Sequence, residues 1–75
     1  MQSVQETAQY EQAMQILADL ISIAATRAPA NPKYRPLLDA WKDRRQGLRV
    51  GDVQAVQDVL ARDGEQLATL ISSSR

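Results

Sequence analysis

Residues 13–28, AMQILADLISIAATRA, hold the densest apolar run of the chain, with Met14, Ile16, Leu17, Leu20, Ile21 and Ile23 close together. At about 100° per residue, Tyr10, Ala13, Met14, Ile16, Leu17, Leu20, Ile21, Ile23, Ala24 and Ala28 fill an arc of roughly 180°. Glu11, Gln12, Gln15, Asp19, Ser22 and Thr26 fill the other half. A helix that touches one neighbour needs only a narrow seam, whereas a half-cylinder of apolar surface needs two or more neighbours to cover it. This stretch therefore reads as the central helix of a bundle, and the rest of the chain must supply its neighbours or borrow them.

Seventy-five residues make a single domain, near the lower size at which one core holds itself together without disulfides or metal. Cysteine and histidine are absent, which removes disulfides, thiolate chemistry, the usual zinc ligand sets and the ordinary neutral-pH proton shuttle. One Trp, two Tyr and no Phe leave aliphatic residues and alanine to build the core, a composition that suits close-packed helices.

Formal net charge is zero, but the charges are unevenly placed. Residues 1–26 carry Glu6, Glu11 and Asp19 with no base. Residues 27–49 carry seven Lys and Arg against Asp39 and Asp43, and residues 50–75 carry four acids against Arg62 and Arg75. A basic middle helix packed between two acidic ones is the simplest reading. No apolar run reaches the roughly 18 residues of a membrane span, and no basic segment followed by an apolar core opens the chain. The expected location is the cytoplasm.

Ser3-Val4-Gln5-Glu6 has the form of a capping box for the first helix. Pro29 and Pro32 end that helix at about residue 28, and Pro36 belongs in the first turn of the second, where a missing N–H costs least. Tyr34, Leu37, Leu38, Trp41, Arg45 and Leu48 follow helical spacing, with Arg35, Lys42 and Arg49 recurring on the outer side and Asp39 at pairing distance between the first two. Gly47 and Gly51 bracket the second connection, and Asp52 is a good N-cap. Val53, Val56, Val59, Leu60, Leu67, Leu70 and Ile71 form the stripe of the third helix, interrupted by Asp63 and Gly64. There the chain has two courses, a bend with Asp63 as a new cap or a continuous helix carrying a glycine, and Ser72 to Arg75 read as a frayed end. The predicted fold is all-α, an up-down-up bundle of three helices at about 3–28, 34–47 and 52–72. Counting from the second connection sets Trp41 near Gln57, Leu38 near Leu60 and Tyr34 near Gly64.

The short middle helix should leave the start of the first helix and the end of the third overhanging at opposite ends, with Tyr10 and Ala13 at one and Leu67, Leu70 and Ile71 at the other. Bare apolar surface costs about 25 cal/mol per Å², so it points to an interface. The candidate interface residues are Ile16, Leu20, Ile23, Leu67, Leu70 and Ile71. Candidate polar contacts are Arg35, Lys42, Arg45 and Arg49, with Asp63 either a recognition residue or a structural partner of Tyr34 or Arg35. These features predict a non-catalytic protein–protein interaction module, an adaptor, inhibitor or chaperone-like protein, acting as a homodimer. An alternative is nucleic-acid binding through the basic face of helix two, which predicts salt-sensitive affinity lost on replacing Arg35, Lys42 and Arg49. The acids on helix three and the lack of a basic recognition helix weigh against it. Asp39 and Asp43, a turn apart, make a poor metal site beside three arginines. No cofactor is expected, and no nucleophile–base pair or glycine-rich phosphate loop suggests an enzyme.

Overall fold

A computed structural model of the chain, which describes residues 4–73, is an all-α, up-down-up bundle. Helix α1 spans Val4–Arg27 and α2 spans Tyr34–Gly47. The third rod is α3, Val53–Asp58, then a π-helical turn, Val59–Asp63, then α4, Gly64–Ser73. Ser3 and the first half of its capping box lie outside the described residues, as do Ser74 and Arg75. Ser72 and Ser73 continue the last helix rather than fraying from it.

The half-cylinder on α1 is satisfied by two neighbours. Ala13, Leu17, Leu20 and Ala24 are completely buried along its midline. Tyr10, Met14, Ile16, Ile21, Ile23 and Ala28 are partly buried beside them. Helix α1 packs against α2 and against the third rod, while no Cα of α2 comes within 8 Å of α3, the π turn or α4. The predicted pairs Trp41 and Gln57, Leu38 and Leu60, and Tyr34 and Gly64 therefore do not bring their backbones within 8 Å. α1 stands between the two flanking rods, and side chains fill the space where those rods face each other. The core there contains Tyr34, Leu38, Trp41, Leu48, Val56, Val59 and Leu70.

Register explains the difference. Gln57 Nε2 donates to Gln9 Oε1 at 3.0 Å, and a Cβ built on Gly64 would sit 3.5 Å from Ile16 Cδ1. Both pairs have the same separation along the chain, so α1 and the third rod run parallel with α3 level with the start of α1. The overhangs lie at one end: the first turns of α1 and α3 extend together past the C-terminus of α2, instead of overhanging at opposite ends. Residues 48–52 make this shift possible. Leu48 is extended (φ −73°, ψ 131°), and its side chain is buried.

The turns follow local chemistry. Asn31 Oδ1 accepts from the Lys33 N–H at 3.3 Å, and the Tyr34 N–H donates to the Asn31 carbonyl at 3.1 Å. That turn delivers the chain to Tyr34 with Pro36 in the first helical turn, where no intrahelical N–H is lost. The Tyr34 ring is buried, its hydroxyl accepts from Arg27 Nη1 at 3.1 Å, and Arg27 and Lys33 each stand 5.7 Å from its centroid. Asp52 caps α3 as its position predicts, accepting from the Ala55 N–H at 3.2 Å. No glycine among the described residues has a positive φ. Gly47 is the last residue of α2, which ends because Leu48 turns extended.

At Asp63-Gly64 the chain takes neither predicted course cleanly. The rod continues, but the Gly64 N–H donates to the Val59 carbonyl, five residues back, and Gly64 is itself helical at φ −62°, ψ −43°. One extra residue enters the turn, and Asp63, which helical spacing already sets on the apolar stripe, is buried at its end. Asp63 is not a cap, and Gly64 makes room beside Ile16 rather than beside Tyr34. Since 3.5 Å is ordinary van der Waals contact, Gly64→Ala is expected to stabilise the fold by about 0.5–1 kcal/mol through lost freedom of the unfolded chain. Urea unfolding followed by circular dichroism checks this, and a lower midpoint would show that the π turn needs glycine.

Candidate functional site

Two of the six predicted interface residues belong to the core. Leu20 has no exposed surface and Leu70 is buried, because both lie on the inward lines of their helices. Ala13, expected to project from the end of α1, is also completely buried. The other four come together. Ile16 and Ile23 lie on the flank of α1 that faces the third rod, the flank that also carries Gln9 toward Gln57. Leu67 and Ile71 lie one turn apart on α4, in line with Gly64, which meets Ile16. Ile16, Ile23 and Leu67 are partly buried, and Ile71 remains 53% exposed. With Leu60, also partly buried, they form an aliphatic seam where α1 and the third rod run side by side.

The polar candidates separate. Arg35, Lys42, Arg45 and Arg49 are all exposed. Arg49 stands beyond the end of α2, so it does not extend the row begun by Arg35 and Lys42. Asp39 makes no ion pair with either of them among the described residues. Arg45 does not lie on the apolar seam of α2; the turn that follows Trp41 inward brings Arg44 to that side instead. Arg44 Nη1 donates to both carboxylate oxygens of Asp63, at 2.7 and 2.6 Å. The Asp63 side chain is 7% exposed and that of Arg44 is 47%. Asp63, the last residue of the π turn, is thus held by Arg44 rather than by Tyr34 or Arg35.

The sequence did signal that an acid on the apolar stripe of the third rod needs a partner, since an unpaired buried carboxylate is expensive. It offered no means to choose among the many bases of residues 27–49. Asp39 and Asp43 stand exposed on α2, and no group of three or more metal-ligating side chains converges among the described residues. No described helix is long and apolar enough to cross a membrane.

Compared with family models, with curated proteins and with solved structures, the chain matches none.

Proposed function

We propose that this chain is a non-catalytic protein–protein interaction module, acting in the cytoplasm as a homodimer, and that the self-interface is the seam of Ile16, Ile23, Leu67 and Ile71. The observation that carries this reading is that these four aliphatic side chains, from two parallel helices, remain partly or largely exposed along one line after the core has formed. A two-fold interface places the same patch of each copy against the other, and a straight aliphatic seam meets that requirement. Adaptor, inhibitor and chaperone-like roles all use such a module.

Sedimentation velocity over a concentration series tests it. The wild type is expected to be a dimer at low micromolar concentration. Ile23→Glu with Ile71→Glu is expected to weaken self-association by about tenfold or more while the helical circular dichroism is retained, because association would then desolvate carboxylates. The same oligomeric state in both proteins removes the seam as the interface.

Nucleic-acid binding by α2 is the second reading. Its support is that Arg35, Lys42 and Arg45 are exposed on one helix and make no ion pair among the described residues. It remains the weaker reading because Asp39 and Asp43 interleave with these bases and lower the local field.

A further inference from the structure

On the side of the bundle where the end of α2 faces α3 and the π turn there is a groove of about 330 Å³, lined by Arg44, Gly47, Leu48, Ala55, Asp58, Val59 and Arg62. Leu48 and Val59 are buried and Ala55 is partly buried, so the groove has an aliphatic floor. Arg44 and Arg62 line it from α2 and from the π turn. Arg44 is fixed there by Asp63, a carboxylate more than nine-tenths buried, yet both of those hydrogen bonds use Nη1 alone. Nε and Nη2 have no acceptor among the described residues, and neither has any donor of Arg62. A guanidinium held in place through one nitrogen, with its remaining donors uncommitted, is pre-organised to bind a planar anion. Val59, Arg62 and Asp63 all belong to the π turn, a distortion that recurs at functional sites. Gly47 adds open space, since nothing lies within 4 Å of where a Cβ would be. Asp58 accepts only a long 3.5 Å hydrogen bond from Gln54 Nε2, which leaves acceptor capacity on the rim.

We propose that this groove captures the C-terminal residue of a partner peptide that ends in an aliphatic amino acid. The carboxylate bridges Arg44 and Arg62, the side chain rests on Leu48, Ala55 and Val59, and the preceding backbone N–H donates to Asp58. A terminal residue carries its carboxylate and its aliphatic group on one Cα, which matches donors and floor placed together in a groove near the lower end of ligand-site volumes. This site is separate from the α1–α4 seam and does not depend on self-association.

The test is fluorescence anisotropy with a labelled glycine–serine peptide ending in Ala-Leu. Three probes are used: the free acid, its C-terminal amide, and an amide with glutamate before the leucine. The free acid is expected to bind saturably below about 1 mM, and the plain amide about tenfold more weakly. Arg62→Gln is expected to weaken the free acid about tenfold without changing the circular dichroism, since Arg62 is exposed. Arg44→Lys keeps a charge beside Asp63 and loses the planar fork, so it is expected to weaken the same probe comparably. Ile23→Glu with Ile71→Glu is expected to bind as the wild type does, which separates this site from the seam. Equal binding of acid and plain amide, or no saturation below about 1 mM, overturns the proposal. Tight binding of the glutamate amide would reassign the groove to internal acidic residues and overturn the terminal assignment.

Discussion

Leu20→Glu is expected to unfold the chain, not merely to detach it from a partner. Leu20 is among the largest fully buried side chains, on the midline of α1 between both flanking rods. Truncation to alanine alone should cost about 3–4 kcal/mol, by loss of buried methylenes and the cavity left behind. Glutamate adds the several kcal/mol of an unpaired carboxylate where no cation is provided. A domain of this size has a total stability of only about 5 kcal/mol, so the variant should lose its helical circular dichroism at 25 °C. Leu20→Ala should unfold at a much lower urea concentration than the wild type. Ile71→Glu is the control: with 53% of the isoleucine exposed, its cost to the monomer fold should stay within about 0.5 kcal/mol. A helical, cooperatively unfolding Leu20→Glu would mean that α1 does not pack on both neighbours along this line.

Arg44→Ala is the second large effect, an expected loss of about 2–3 kcal/mol measured by urea unfolding. Breaking a fully buried pair costs about 3–5 kcal/mol because the remaining charge is stranded. The lower figure applies because the Arg44 side chain is 47% exposed, so water reaches the space that it vacates. Replacing both partners, Arg44→Met with Asp63→Leu, should return stability to within about 1 kcal/mol of the wild type or above it, since neither charge is then desolvated. A double-mutant cycle with Arg44→Met and Asp63→Leu made singly isolates the pair from the packing of the arginine stem. If Arg44→Ala and the double replacement were equally unstable, packing rather than charge pairing would hold the π turn in place.

The two variants probe different layers of what the chain encodes. The arc of residues 13–28 says directly that α1 is long, half apolar and in need of two neighbours, because helical periodicity projects composition onto a surface. The prolines at 29, 32 and 36 and the cap at Asp52 are equally legible, since each acts through bonds within a few residues. The candidate site was half legible. On α1 helical spacing separates Ile16 and Ile23, at the edge of the arc, from Leu20 near its middle; on the third rod it does not separate Leu67, partly exposed, from Leu70, buried.

The sequence by itself thus determined the number of helical rods, their order, their approximate ends and the apolar face of α1. Only the tertiary structure decided which pairs of helices meet, that α1 lies between the other two rods, and that the ends of α1 and α3 extend together past α2. It also decided that Arg44, among the bases of residues 27–49, is the one that reaches Asp63. The physical reason is range. Propensity, capping and periodicity act within one or two turns. Register, by contrast, is set by side chains far apart in sequence, with Gly64 beside Ile16 and Gln57 bonded to Gln9. Asp63, at the end of the π turn Val59–Asp63, likewise meets Arg44, nineteen residues before it in the chain and on another helix.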